Sequence, residues 1–496
     1  MSKDHFDVVI IGAGLSGIGA GCHFTKKCPG KTFCILEGRD VLGGTWEIFK
    51  YPGVRSDSDM FTLGYNFKPW TSSQFLADGP SILNYITEAA AEHGVLEKIR
   101  YNSLVKSIEW DSGDATWTIT YGDKKSGNTN QITCNVITSC TGYFDYKGGY
   151  EPEFDGREDY KGTIVHPQKW PADLDYKDKK VIVVGSGATA VTLLPAMATD
   201  TAHITMLQRS PTYMGAVPDT DPTVAITRKL MPELMAYRVS RAQKIALTYG
   251  FYYGSRAFPK AIRKLMLGGV KLGVGPDVDM KHFEPYYNVW DERVCAVKSG
   301  DLFKAVKDGS ASMVTDHIER FTENGILLKS GQELEADIVV LATGLNLQFF
   351  GGIKITVDGE IYEPAEKMNY KGIMFEDLPN VGLTFGYTNA SWTLKADLSS
   401  GFMTRLVNYM DKHNVQKAIP RNDDPSVTKS LFLDFQSGYV QRAIHKFPKM
   451  GSKLPWKLVQ AYPVDLVMLR YAKLDDGKLK FSKATGKSKV SLKQAS

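Results

Sequence analysis

Two glycine turns in this chain have the spacing needed to hold a pyrophosphate: Gly12-Ala13-Gly14-Leu15-Ser16-Gly17 and Gly185-Ser186-Gly187-Ala188-Thr189-Ala190. In a G-x-G-x-x-G/A turn the first glycine permits the tight turn. The second lets the backbone approach the phosphates, and the third small residue lets a helix pack closely on a strand. The N–H groups at the start of that helix have no partners of their own and favour negative charge. The residue after the next strand then selects the dinucleotide. After the first turn it is Glu37, whose carboxylate can accept hydrogen bonds from ribose hydroxyls and repels a 2′-phosphate. After the second it is Gln208-Arg209-Ser210, with no carboxylate. An arginine can grip a 2′-phosphate with two N–H groups, and Ser210 can donate to it. The first turn therefore reads as a site for FAD or NAD and the second as a site for NADP. A glycine turn beside a surface Glu, and a merely solvated Arg209, are the plainer readings. The complete strand–turn–helix–strand series around each turn outweighs them.

The turns need strands and helices to present them. Phe6–Ile11 reads as a buried strand, followed by a helix and a second strand over Thr32–Glu37. Lys180–Val184 and the stretch 202–207 repeat the design, and strand character returns over 336–342. Parallel strands require a crossover helix, so each unit is β-α-β. The expected class is α/β, with two Rossmann-like dinucleotide-binding domains and a helical insertion. The expected division is a FAD-binding domain over 1–155 and 346–475 and an NADP-binding domain over 156–345. A basic helical insertion is expected at about 220–275, where Leu230, Leu234, Tyr237 and Arg241 recur at helical spacing, and a flexible basic tail over 476–496. A solvated subdomain is the first reading of the insertion, and weak association with a membrane surface is the second.

At 496 residues, 43% apolar and 23% charged, the chain can bury large cores without disulfides. A net charge of +5 with no basic stripe interleaved with aromatics argues against nucleic acid as a partner. Cys22, Cys28, Cys34, Cys134, Cys140 and Cys295 form no C-x-x-C pair. They read as buried free thiols, with no metal site and no disulfide redox centre. The sequence lacks an apolar signal region and any apolar run long enough to span a bilayer, so a cytoplasmic location is expected.

Between the two turns lies Tyr160-Lys161-Gly162-Thr163-Ile164-Val165-His166-Pro167-Gln168-Lys169-Trp170-Pro171. This resembles the F-x-G-x-x-x-H-x-x-x-W-P signature of the Baeyer–Villiger monooxygenases, with Tyr160 in place of Phe. The run from Gly43-Gly44-Thr45-Trp46 through Tyr51-Pro52-Gly53 to Asp57 resembles the family's G-G-x-W-x-x-x-x-Y-P-G-x-x-x-D pattern. Ala342-Thr343-Gly344 and Cys140-Thr141-Gly142 look like its interdomain hinge segments. The stretches 55–60 and 386–397 are most similar to the subgroup containing the ethionamide-activating enzymes. The resemblance extends from Asp7 to about Leu474.

The resemblance implies FAD and NADPH as cofactors and O₂ as co-substrate. A C4a-peroxyflavin would insert one oxygen beside a ketone carbonyl to give an ester or lactone, with thioethers also oxidised. It implies that Gly44, Thr45 and Trp46 join the cofactor-binding set. Arg293 would be the catalytic cation and Asp57 the carboxylate that orients it, with a surface salt bridge and a loop cap as the alternatives for these two. His166 and Trp170 would couple the domains, and Trp392 is a candidate for the substrate pocket. The family often carries Lys where Glu292 stands, which leaves the second 2′-phosphate contact open. A sulfur- or nitrogen-oxygenating flavoenzyme is the alternative function, and a non-oxygenating flavoprotein or redox sensor the second.

Overall fold

The computed structural model describes residues 4–123, 126–433 and 437–486. Among the described residues the larger sheet has nine strands. Its centre is His5–Ile11, flanked in parallel by Phe33–Leu36 and Thr129–Ser139. Val8, Val9 and Ile10 are fully buried, as expected of a parallel strand covered on both faces. The sheet also takes strands from far along the chain: Lys354–Val357 pairs with Ser103–Asp111, and Val381–Leu383 pairs with Thr129–Ser139. The second sheet is five-stranded and wholly parallel, in the order Ala311–Thr315, His203–Gln208, Lys180–Val184, Ile338–Leu341, Thr163–Val165. Each sheet thus carries one glycine turn at the carboxyl end of a central strand, where open α/β sheets bind ligands.

Two further strands, Phe144–Gly149 and Leu345–Leu347, pair antiparallel with each other. They lie immediately after Cys140-Thr141-Gly142 and Ala342-Thr343-Gly344. The chain's two passages between the sheets therefore run side by side as one ribbon. The run from Gly43 to Asp57 makes another link. Phe49 and Tyr51 pack into the core of the second sheet. A Cβ on Gly53 would lie 2.6 Å from the Thr192 carbonyl oxygen, on the helix Ala188–Met197. Glycine at 53, with φ +77°, is what lets this segment press against that helix.

The basic insertion is three helices, Pro222–Leu230, Glu233–Ala257 and Pro259–Val274. Leu230, Leu234, Tyr237 and Arg241 do not form one stripe. Pro232 separates the first two helices, so that Tyr237 and Arg241 are buried while Leu230 and Leu234 are exposed. The expected tail also needs correction. Leu479–Ser482 pairs with Lys417–Pro420, because alternating Leu479 and Phe481 pack into the largest core. Residues 487–496 of that stretch lie outside the described residues. All six cysteines are free and buried. No helix among the described residues is long and apolar enough to cross a membrane.

Candidate active site

The two turns have almost the same backbone. Gly14 caps the helix Leu15–Lys27 at φ −76°, ψ −174°, and Gly187 caps Ala188–Met197 at φ −79°, ψ −177°. Neither cap has a side-chain hydrogen bond, and neither first turn holds an acidic residue. Both helix N-termini thus offer bare N–H groups to an anion. Gly12 and Gly185 have φ of +98° and +137°. A Cβ on Gly12 would meet the Cys140 carbonyl oxygen at 2.6 Å, and one on Gly185 would meet that of Ala342 at 2.3 Å. A Cβ on Gly17 would collide with the Gly12 carbonyl oxygen. Fully buried Ala190 takes the equivalent place in the second unit.

Glu37 is buried and accepts from the backbone N–H of Ala13 at 2.7 Å and of Arg39 at 2.9 Å. Its carboxylate is thereby fixed beside the glycine turn. Gly44 approaches Gly14 from the other side: a Cβ on Gly44 would lie 3.0 Å from the Gly14 Cα. Thr45 begins the short helix Thr45–Ile48, with its hydroxyl 3.5 Å from that of Tyr146. Trp46 packs against the largest core and lines a cavity of about 620 Å³ that also touches Tyr51, Gly53 and Arg55. A cradle of two facing glycines, a bare helix N-terminus and a fixed carboxylate fits the adenosine diphosphate half of FAD.

At the second turn the carboxylate is replaced by exposed Arg209 and half-buried Ser210. Buried Gln208 anchors this strand end by donating to the His282 carbonyl at 2.7 Å. Glu292 faces Arg209. Burial pushes its pKa up, and the Arg209 charge pulls it back down. An acid therefore stands beside the residues expected to bind the 2′-phosphate.

Arg293 is brought to the junction of the two sheets. Its carbonyl accepts from the Thr212 hydroxyl at 3.3 Å. Its Nη1 lies 4.0 Å from Asp57 Oδ2, and its Nη2 donates to the Tyr143 hydroxyl at 3.3 Å. The surface pairing open from sequence is not formed, since Asp291 pairs with Arg256. Nor is Asp57 a helix cap, because Asp59 takes that role by accepting from Thr62 N–H. The Arg293 pKa is raised above its ordinary value by Tyr439 first, then by Tyr143 and Asp57, against the opposing effect of burial. Its Nε is buried without a partner, although the side chain as a whole is 40% exposed.

Trp392 ties this arginine to the first turn. Its indole N–H donates to Ser16 Oγ at 2.8 Å, and its ring stacks on Tyr143 at 5.1 Å. A Cβ on Gly386 would fall 2.2 Å from the Trp392 ring. Ser16, Trp392, Tyr143, Arg293 and Asp57 thus form one chain of contacts. Tyr143 and Tyr439 were not read from the sequence. Tyr143 follows directly on Cys140-Thr141-Gly142, which was a usable signal. Tyr439 sits on a four-residue helix with no pattern around it. Arg55 was also missed. It clamps Asp301 through two N–H···O contacts of 2.5 and 3.3 Å and makes a further tie between the Gly43–Asp57 segment and the second unit.

His166 stands at the root of the interdomain ribbon. Its Nε2–H donates to the Gly344 carbonyl at 3.2 Å, while Nδ1 accepts from Gln168 N–H at 3.2 Å. This pattern assigns a neutral ring with its proton on Nε2. A Cβ on Gly149 would lie 1.9 Å from the ring. Trp170 is half-buried against the second core. Tyr160 donates to the Ala336 carbonyl at 2.9 Å, so it holds the sheet edge.

Comparison with known proteins fits this geometry. Residues 9–250 match the family model of the pyridine nucleotide-disulphide oxidoreductases. The chain is 50% identical to the FAD-containing monooxygenase EthA of Mycolicibacterium smegmatis, over 97% of this chain and 98% of that one. It is 46% identical to EthA of Mycobacterium tuberculosis, again over 97% and 98%. A solved steroid monooxygenase bound to NADP shares the fold, with a TM-score of 0.75 at 20% identity, covering 97% of this chain and all of that one. With half of its residues shared along nearly its whole length, the chain belongs to the family of FAD-containing monooxygenases.

Proposed function

We propose that this monooxygenase is of the Baeyer–Villiger type. On this reading it uses NADPH and O₂ to convert a small ketone into an ester or lactone, and it also oxidises thioethers. The sheet built from 1–155 and 346–475 holds FAD, and the sheet within 156–345 holds NADP. The observation that carries the reading is Arg293, a permanent cation set between Asp57 and Tyr143 at the junction of the two units.

Bound FAD would supply the redox chemistry, namely hydride acceptance from NADPH and transfer of one oxygen atom of O₂ to the substrate. This chain's residues bind, orient and balance charge. Gly12, Gly14, Gly17 and Gly44 admit the pyrophosphate, and Glu37 selects the ribose. Attack on a carbonyl carbon places negative charge on its oxygen, and a fixed cation aimed there lowers the barrier. Arg293 is suited to this because guanidinium keeps its proton at all working pH values. Asp57 and Tyr143 hold its two terminal nitrogens, which leaves little reorganisation for the reaction step. Trp392, stacked on Tyr143, fixes the arginine's angle through that tyrosine.

The test is the Arg293→Ala variant, assayed for ester formation from a panel of linear, cyclic and aryl ketones. FAD content and the rate of flavin reduction by NADPH are followed in parallel. Ester formation should fall by about 10²–10³, the usual loss for one such stabilising group, with FAD retained and flavin reduction within a few-fold of normal. Undiminished ester formation would assign the cation's role to another residue. Absence of any ester product from the unaltered enzyme, with thioethers oxidised, would favour the sulfur-oxygenating alternative.

A further inference from the structure

We propose that the helical insertion 222–274 docks this enzyme on an anionic lipid surface. Charge is the first argument. The insertion carries ten Lys and Arg against one acidic residue, Glu233, a net of +9. The rest of the chain holds 50 basic and 54 acidic residues and is net −4. The protein is thus strongly polarised, although its overall charge is small.

The second argument is what the insertion exposes. A surface helix ordinarily turns polar residues to water. Glu233–Ala257 instead exposes Leu234, Met235, Val239, Leu247 and Tyr253, with Met235 and Leu247 at 54% and 58%. They lie over a broad exposed face, with exposed Ala242, Ala246 and Gly250 between them and the cations Arg238 and Arg256 among them. The opposite face holds buried Tyr237 and Arg241. On Pro259–Val274 exposed lysines alternate with exposed leucines as Lys264-Leu265 and Lys271-Leu272, with Leu272 at 85%. Exposed apolar side chains interleaved with cations are the signature of helices that lie in a lipid interface.

Charge also decides between occupants. A second copy meeting this face would bring together two surfaces that each expose Lys229, Arg238, Lys260, Lys264 and Lys271 against one acid, Glu233, which is repulsive. Anionic headgroups satisfy the cations while the leucines enter the acyl boundary. The docked face adjoins the candidate active site. At the end of the long helix, Arg256 pairs with Asp291 at 2.6 Å and donates to the Trp290 carbonyl at 2.9 Å, which secures the loop that carries Arg293.

The test is co-sedimentation of the full-length, FAD-loaded protein with phosphatidylcholine vesicles, with and without phosphatidylglycerol. The unaltered protein should bind only the anionic vesicles and be released by high salt. The Lys260→Glu/Lys264→Glu/Lys271→Glu variant should bind on the order of tenfold more weakly or worse. Met235→Ser/Leu247→Ser should weaken binding several-fold, and both variants should oxidise NADPH at the normal rate. Equal binding to neutral and anionic vesicles, or variants that bind as the parent does, would overturn the proposal. So would a dimer in sedimentation velocity that Met235→Ser/Leu247→Ser dissociates, since the face would then belong to a second copy.

Discussion

The first and second glycine turns share a backbone and differ in what surrounds it. Gly14 is confronted by Gly44, whereas a Cβ on Gly187 would meet nothing within 4 Å. Glu37 is buried and held by two backbone N–H groups, whereas Arg209 is exposed at its strand end. One site is a closed cradle lined by fixed groups. The other is an open shelf with a mobile-length cation. This division suits one cofactor that stays through many turnovers and one that must enter and leave. The fold builds the same helix terminus twice, and the neighbouring segments set how open each one is.

The sharpest way to break this contrast is to add one methyl group at each turn. In Gly12→Ala the Cβ would meet the Cys140 carbonyl at 2.6 Å, in a conformation of φ +98°. Backbone strain alone should cost about 1–3 kcal/mol. We expect a lowered Tm and loss of FAD on gel filtration. Gly187→Ala should keep its fold and its yellow colour, and should raise KM for NADPH on the order of tenfold by blocking close phosphate approach. If both variants kept both cofactors, the two turns would not be the ligand cradles.

Next in size is Arg209→Ala. Removing one charge-assisted contact should cost about 1.5–3 kcal/mol, a fall of roughly 10–150-fold in kcat/KM for NADPH. The value for NADH should hardly change. Steady-state kinetics with the two nicotinamides decides this, and an equal loss with both would remove Arg209 from the 2′-phosphate.

His166→Ala tests the ribbon between the sites. The variant should bind both cofactors yet yield several-fold less product per NADPH, with the remainder appearing as hydrogen peroxide. Normal coupling would make His166 a packing residue only. Burial holds the His166 pKa below its ordinary value. A group depressed on folding contributes stability that is complete above the unfolded value, about 6.5, and is lost as pH falls from there toward the folded one. Protonation also removes the Nδ1 acceptor of Gln168 N–H. Coupling in the unaltered enzyme should therefore hold through the ordinary imidazole range and decline only as pH falls through the lower folded-state value, and this component should vanish in the variant.

The smallest effect is expected at Glu292. It is partly exposed, so solvent screens its charge. Glu292→Gln should lower KM for NADPH about two- to five-fold and leave the NADH value alone. A raised KM would mean that Glu292 helps to position Arg209.

Much of the site was legible because it is local. Glycine turns, the acid or arginine after the next strand, and the apolar strands are patterns within about 30 residues, and their positions agree with the structure to within a residue or two. The contacts that finish the site are not local. Tyr143 and Arg293 are 150 positions apart, and Ser16 and Trp392 are 376 apart. No periodicity announces such pairs, and only the packing of two sheets brings them together. The strand Leu479–Ser482 was missed for a related reason. Its surroundings are rich in Lys, Ser and Gly, and its partner lies near residue 418.

The fit of His166 against Gly149 has a consequence for descent. A Cβ at position 149 would overlap the imidazole, at 1.9 Å. The constraint is one-sided: a larger residue at 149 has no room while the ring remains, whereas losing the ring first opens a gap that such a residue can fill. An alignment of relatives should therefore carry glycine at 149 wherever it carries histidine at 166. Lineages that abandoned the glycine should also have abandoned the histidine, and the history of the joint would then be readable as an ordered pair of substitutions.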